Sequence, residues 1–337
     1  MKAVRLYASK DLRVENIDPP TVLEPGWVRL KVSAAGICGS DLHNFSTGQW
    51  ISRSPSVAGH EFAGVVTETG TGVSGFKPGD TVIADSRYWC GECPACASGR
   101  HNVCSTLGFI GEVCDGGFAE ETALPARLLV HYAPDINPVV AAMGEPLSVA
   151  LHAIRKQRVP SGEAVLVVGC GPIGGLVALL LSRLHDGPVL VCDRNEQRVE
   201  LVSRVTGAIK VELDKPALER ALSGKTLRYA IDATGNIAVL NAIIDVLSGG
   251  GSLALVGISH GKIELDPNIL VEREISLIGC HAYQDELQEI AALLPELEAS
   301  LVKLIDREIS LDEVPEAYDR LLAGQAEGLK TIIRIGA

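Results

Sequence analysis

The spacing of apolar residues changes near residue 145. Up to that point short apolar stretches, such as "WVRLKVSAAGIC", "AGVVTETGTGV" and "GDTVIAD", are broken every few residues by Gly, Pro or Asp. Strand-forming runs between frequent turn residues, with little helical periodicity, predict an irregular, barrel-like β domain. From about 146 to 284 the style is different. Continuous apolar runs, "AVLVVG", "PVLVCD", "IKVEL", "LRYAIDAT", "SLALVGI" and "ISLIGCHA", alternate with helix-like segments such as "PIGGLVALLLSRL", "NEQRVELVSRVT" and "IAVLNAIIDVLS". Buried strands separated by 10–15-residue helices predict a doubly wound parallel sheet, an α/β fold. The tail opens as a helix at "YQDELQEIAALLPELEASLV" and ends in "KTIIRIGA", a strand that needs a partner. Pairing with the first segment would make 1–145 and 285–337 one domain, with 146–284 inserted into it.

Composition narrows the classes. The chain has 337 residues, enough for two domains, and is 47% hydrophobic and 21% charged, an ordinary globular balance. Aromatic content is 4%, which does not suit a platform that stacks single-stranded nucleic acid. Net charge is −12 without a dense Lys/Arg run, so neither nucleic acid nor an anionic membrane is expected as a partner. The longest helix-like apolar stretch, "LVALLLSRL", falls short of the ~18 residues of a membrane span, and the first residues carry no apolar signal core. A soluble cytoplasmic protein is the expectation.

"VLVVGCGPIGGL" places Gly169-x-Gly171-x-x-Gly174 directly after a strand and at the start of a helix, with Pro172 and Ile173 inside the turn. Gly169 permits the tight turn, Gly171 lets the backbone approach a pyrophosphate, and Gly174 lets helix and strand pack closely. Asp193 ends the next strand, 19 residues after Gly174. A carboxylate there accepts hydrogen bonds from ribose hydroxyls and repels a 2′-phosphate, which favours NAD over NADP. Arg194 argues the other way, because a guanidinium pairs with that phosphate.

Nine cysteines are present, and four of them, Cys90, Cys93, Cys96 and Cys104, fall within "CGECPACASGRHNVC". In a reducing compartment clustered thiols point to a metal. Four thiolates close a tetrahedral zinc shell and leave no open position, so such a zinc is structural; an iron–sulfur cluster has similar spacing. A second set is dispersed: Cys38, Ser40, Asp41 and His43 in "GICGSDLH", His60 and Glu61 in "GHEFAG", and Glu145 in "MGEPLSVALHA". A thiolate, an imidazole and one or two carboxylates hold zinc while leaving a position open, the requirement of a catalytic site. Asp41 suits the task of orienting an imidazole through its second nitrogen.

With these residues the whole chain resembles the medium-chain zinc-dependent alcohol/polyol dehydrogenases, in particular the sorbitol dehydrogenase-like branch. "GHEFAGVVTETGTGV" fits that family's zinc signature from Gly59 to Val73, and "FKPGDTV", the four-cysteine lobe and "VVGCGPIGG" follow in its order. The resemblance implies a GroES-like irregular β-barrel catalytic domain (1–145 and 285–337) carrying a structural zinc lobe at about 88–105, and a Rossmann NAD-binding domain at 146–284. It implies one catalytic and one structural zinc per chain. Cys38 and His60 become catalytic zinc ligands, with Glu145 where alcohol dehydrogenases have a third cysteine, and Glu61 either a direct ligand or a neighbour. Ser40 takes the position that receives the substrate proton, and His43 the position that passes it on. Arg198 matches an adenosine-side contact, and Val256 and Ile258 belong to a nicotinamide-side segment.

The implied reaction is hydride transfer from a secondary alcohol of a polyol or sugar alcohol to NAD, with zinc lowering the pKa of the alcohol. Threonine or a simple alcohol is the alternative substrate, and a non-catalytic zinc- and nucleotide-binding relative the alternative class. Sorbitol dehydrogenases carry an aromatic pair after His43 and Arg-Tyr near the sugar; this chain has Asn44 and Phe45, and Ala282 and Tyr283. A homodimer or homotetramer is expected, because "ISLIGCHA" would leave a sheet edge to be covered.

Overall fold

A computed structural model describes residues 1–259 and 261–336. The chain divides into two compact units, Met1–Glu145 with the segment from Gln284 onward, and Pro146–Tyr283. The pattern-based boundary at 284/285 thus lies one residue later than the structural one.

In the first unit a mixed sheet runs in the order Leu129–His131, Thr81–Ala84, Glu61–Thr69, Trp27–Gly36, Lys330–Arg334, Ile305–Ile309, and Glu121–Pro125 also pairs with Trp27–Gly36. Along Trp27–Gly36 the side chains alternate, so Val28, Leu30, Val32 and Ala34 are fully buried. Val28, Leu30 and Val32 pack in one cluster with Phe62, Val66, Val82 and Leu124. Register shifts interrupt the pairing with Glu61–Thr69 between Arg29 and Leu30 and between Val32 and Ala34. Such bulges bend and twist a strand, which is why no clean alternation marks this unit in the sequence. The terminal strand finds its partner here: Ile332 lies opposite Gly36 and Ile333 opposite Ala35, antiparallel. On its other side it runs parallel to Ile305–Ile309.

The second unit holds a fully parallel sheet in the order Ile209–Lys210, Val189–Cys192, Val165–Val168, Tyr229–Asp232, Ser252–Leu255, Ser276–Gly279. In chain order this is 3-2-1-4-5-6, the doubly wound arrangement of dinucleotide-binding domains. "VLVV" and "VLVC" are buried at every position, as central strands covered by helices on both faces require. "IKVEL" pairs only through Ile209–Lys210, both exposed, because it is an edge strand with one neighbour. Among the described residues no helix is long and apolar enough to cross a membrane.

Candidate metal centres and cofactor loop

Cys90, Cys93, Cys96 and Cys104 place their sulfurs within 4.8 Å of one another. Cys90 Sγ is 4.0 Å from Cys96 Sγ and 3.5 Å from Cys104 Sγ. Zinc with four bonds of about 2.3 Å at tetrahedral angles spaces its sulfurs by roughly 3.8 Å, so the lobe fits that ion. Cys93 caps the single turn Pro94–Ala97, which swings Cys96 back towards Cys90. Backbone N–H groups of Cys90, Cys93 and Cys96 donate to the sulfurs of Cys104, Cys90 and Cys93 at 3.4–3.5 Å. Such donors favour thiolates: the N–H groups of Cys96 and Ser105 bring the Cys93 thiol down to about 5. Burial works the other way on Cys96 and raises it.

The second cluster is assembled by the long sheet. Cys38 precedes the helix Gly39–Thr47, and its N–H donates to Asp41 Oδ2 at 2.8 Å. The other oxygen of Asp41 lies 3.3 Å from His60 Nδ1. That leaves His60 Nε2 facing inward, where Ser40 Oγ stands 3.4 Å away. Cys38, His60 and Glu61 bring one donor atom each within 4.8 Å of one another. Burial disfavours a charged His60, but the Asp41 carboxylate and Cys38 outweigh it and raise its pKa well above the ordinary value.

Glu61 is opposite Gly36 across the sheet, and a Cβ on Gly36 would lie 2.4 Å from Glu61 Oε2. Only glycine leaves room for that carboxylate. Lys330 Nζ donates to Glu61 Oε1 at 2.6 Å and lies 2.5 Å from Oε2, yet Oε2 has no hydrogen bond of good geometry among the described residues. A buried oxygen of this kind, beside an imidazole nitrogen and a thiol, is a donor set suited to zinc.

Glu145 stands in the first turn of the helix Gly144–Gln157 and lies outside this group of three. Its carboxylate accepts the Ser86 hydroxyl at 2.7 Å. Burial, opposed by His60 and reinforced by Glu61, brings it up to about 7. His43 follows Ser40 by three residues on the same helix face. Its Nε2 is 2.9 Å from Gln49 Oε1, and its ring lies 4.5 Å from that of Trp50. A pocket in the same unit adjoins Ser40, Asp41 and His60, walled by Leu12, Phe45 and Ile110, with Glu112 at its side. Lys330, Gly36, Ser86 and Glu112 did not stand out in the sequence. The one available signal was a lysine opening the strand "KTIIRI", in which three of the six residues are isoleucine.

In the second unit the glycine loop is sterically determined. Gly169 has φ +99°, and a Cβ on Gly174 would lie 1.7 Å from the Gly169 carbonyl oxygen. Gly171 caps the helix Pro172–Leu184, with Pro172 at its first position and Ile173 next. Nothing but an Arg198 nitrogen at 4.0 Å comes near a Cβ built on Gly171, and the buried Arg198 Nε has no partner among the described residues. Asp193 accepts the Cys170 N–H at 2.6 Å and the Asn195 N–H at 2.8 Å, which fixes its carboxylate at the loop. Arg194 is exposed. Val256 and Ile258 follow the strand Ser252–Leu255, where Gly235 packs against the Ile258 carbonyl. All these residues gather at the carboxyl ends of the parallel strands, where α/β sheets bind nucleotides. An open cradle and an orphaned guanidinium nitrogen fit a dinucleotide.

Comparison with known proteins agrees with this arrangement. The family described as alcohol dehydrogenase GroES-like domain matches residues 24–135, and that described as zinc-binding dehydrogenase matches residues 172–298. The (R,R)-butanediol dehydrogenase of Bacillus subtilis is 31% identical over 350 residues, 99% of each chain. This chain belongs to the zinc-dependent medium-chain alcohol/polyol dehydrogenases.

Other members of this zinc dehydrogenase family are similarly related. The L-galactonate-5-dehydrogenase of Escherichia coli K12 is 30% identical over 312 residues, 90% of each chain. The L-threonine 3-dehydrogenase of Deinococcus deserti is 31% identical over 313 residues, also 90% of each. An E. coli CFT073 alcohol dehydrogenase crystallised with NADH shares the fold at TM-score 0.90, with 28% identity and 99% of each chain covered. A Sinorhizobium meliloti zinc-binding dehydrogenase bound to NADP does so at TM-score 0.88, with 28% identity over 99% of this chain and 98% of that one. The fold is therefore a GroES-like irregular β-barrel joined to a Rossmann domain, and the protein is an oxidoreductase of the zinc dehydrogenase type.

Proposed function

We propose that this dehydrogenase oxidises a secondary alcohol of a polyol or sugar alcohol, with NAD as the hydride acceptor. The observation that carries the reading is the convergence of Cys38, His60 and Glu61 donors within 4.8 Å, with Ser40 beside His60 and a pocket adjoining both. Cys38, His60 and Glu61 would hold the catalytic zinc, with Glu145 next to them, and the four-cysteine lobe the structural one. Bound zinc supplies positive charge that lowers the pKa of a hydroxyl from about 15 towards 7. Asp41 holds the His60 ring so that Nε2 points at the site. Ser40 Oγ receives the alcohol proton, and His43, whose imidazole can take up a proton at one nitrogen and release one from the other, hands it to solvent.

Gly169, Gly171 and Gly174 open the loop to a pyrophosphate, while Pro172 and Ile173 begin the helix whose N-terminus faces it. Asp193 favours the unphosphorylated ribose of NAD, with Arg198 beside it and Val256 and Ile258 on the nicotinamide side. The relative solved with NADP and the exposed Arg194 make NADP the cofactor to test against. The half-exposed edge strand Ser276–Gly279 supports pairing with a second copy in a dimer or tetramer, and the enzyme is taken to work in the cytoplasm. A 3-hydroxy amino acid is the second reading, on the strength of the Deinococcus relative.

The test is zinc content together with NAD reduction across sugar alcohols, inositols, diols and threonine. Two zinc ions per chain and turnover of at least one polyol are expected, with Cys38→Ala inactive but still binding NADH. Ser40→Ala should slow turnover ~10²-fold or more. Full activity in Cys38→Ala, or an undiminished rate after thorough chelation, would refute the reading.

A further inference from the structure

We propose that Glu112 is the specificity-determining residue of the pocket beside Ser40 and His60, accepting hydrogen bonds from hydroxyls of a neutral polyol and turning away sugar acids and sugar phosphates. This rests on the polyol reading above and adds to it which end of the substrate is recognised, and how.

The backbone of Glu112 is pinned from two sides. Its N–H donates to the Phe109 carbonyl at 3.0 Å, closing a tight turn, and Ser52 Oγ donates to its carbonyl at 2.8 Å. Gly111 supplies the positive φ, +88°, that the third position of such a turn needs. That glycine also backs onto the segment before His60: a Cβ there would lie 3.1 Å from the Gly59 nitrogen. The turn is therefore anchored to the same stretch that carries His60, and the Glu112 side chain lines the pocket shared with Ser40, Asp41 and His60.

The Glu112 carboxylate is half-buried and makes no hydrogen bond or ion pair among the described residues. Burial brings it up to about 7, with His60 opposing and Asp41 adding to the shift. A partly buried carboxylate that lines a pocket and has gained no protein donor is open to donors that a ligand brings. Hydroxyl and ammonium groups are the candidates. An ammonium would be drawn by Asp41 and Glu112 but opposed by the positive charge that bound zinc would bring, and threonine tests that alternative in the experiment below. A carboxylate or phosphate end fares no better. The lining contains two carboxylates, Asp41 and Glu112, and no Lys or Arg. Apolar walls at Leu12, Phe45 and Ile110 accept the C–H edges of a carbon chain. A neutral chain bearing several hydroxyls meets all three conditions.

The experiment compares zinc-loaded wild type, Glu112→Leu and Glu112→Gln. Rates with NAD are measured on xylitol and sorbitol, on 2,3-butanediol, which has no hydroxyl beyond the reacting pair, on an aldonate, and on threonine. Polyol binding to the enzyme–NADH complex is measured by calorimetry. For Glu112→Leu, kcat/KM on the long polyols should fall about 10- to 100-fold, mainly through KM, with calorimetric Kd weakened to match and 2,3-butanediol unaffected. Glu112→Gln, which keeps an acceptor oxygen, should lose less and gain on the aldonate. Zinc content and thermal midpoint should stay at wild-type values. Equal losses on diol and polyol, an unchanged polyol Kd, a loss confined to threonine, or a wild type that prefers the aldonate would each overturn the proposal. A wild type inert towards every alcohol would overturn the polyol reading itself. Activity with unaltered selectivity in both variants would overturn only the role of Glu112.

Discussion

Lys330 Nζ lies 2.6 Å from Glu61 Oε1 and 2.5 Å from Oε2, and the two side chains are 2% and 0% exposed. Burial alone would lower the lysine pKa, but Glu61 and Cys38 outweigh it and raise it. The ammonium therefore stays charged and ties the last strand of the unit to the metal-binding cluster. Without it, and with no metal bound, the Glu61 carboxylate would be an uncompensated charge in the core, and such a charge is costly. Lys330→Met is expected to destabilise the first unit of the metal-free protein by about 3–5 kcal/mol, and the double variant with Glu61→Gln by clearly less than the sum of the single changes. Urea unfolding followed by tryptophan fluorescence reads this unit alone, because Trp27, Trp50 and Trp89 all belong to it.

Asp41 joins two tasks, holding the Cys38 N–H and the His60 Nδ1. Asp41→Asn keeps the shape and removes the charge that fixes the imidazole. Zinc affinity at the dispersed cluster should drop 10- to 100-fold, the usual effect of losing such a partner. Competition with a chromophoric chelator should show one weakened and one unchanged zinc per chain.

The Glu112 carboxyl gives a pH signature with a definite sign. Its folded pKa, about 7, is above the ordinary 4.5. Below 4.5 the group is protonated in both folded and unfolded chains, and whatever it contributes is fully present. As pH rises towards 7 the unfolded chain sheds the proton first, so stability falls across that window and levels off above it. Allowing for solvent screening of a group that is not fully buried, the loss is on the order of 2 kcal/mol. Unfolding midpoints of Glu112→Gln should decline less steeply than wild type between pH 4.5 and 7; parallel curves would show the carboxyl to be unperturbed.

Gly174 cannot carry a side chain without displacing the Gly169 carbonyl 1.7 Å away. Gly174→Ala should therefore abolish NADH binding, measured by fluorescence titration, while zinc content stays at two. Asp193→Ser should lower kcat/KM with NAD and raise it with NADP. An unaltered ratio would remove Asp193 from cofactor choice.

The lobe should behave as an independent knot. Cys96→Ser is expected to leave one zinc per chain by metal analysis and to open residues 88–105 to proteolysis. Chain cleavage elsewhere, with both metals retained, would contradict the assignment.

Residue order along the chain was enough for every feature whose parts lie close together. The glycine turn, the strands "VLVV" and "VLVC", and the four cysteines of the lobe were legible because spacing within a few residues determines turn shape, burial and ligand geometry. Tertiary structure decided the rest. Gly36, Cys38 and Glu61 meet because Trp27–Gly36 pairs with Glu61–Thr69, and Lys330 joins them because the last strand enters the same sheet beside Trp27–Gly36, in registers that one residue of slip would reverse. Glu145 carries a carboxylate like that of Glu61, but it is bonded to Ser86 and stays outside the cluster. Glu112 carries no local signal in the sequence; a turn held against Gly59 places it in the pocket. Contacts between residues tens to hundreds of positions apart are written in strand register and burial, which no local pattern records.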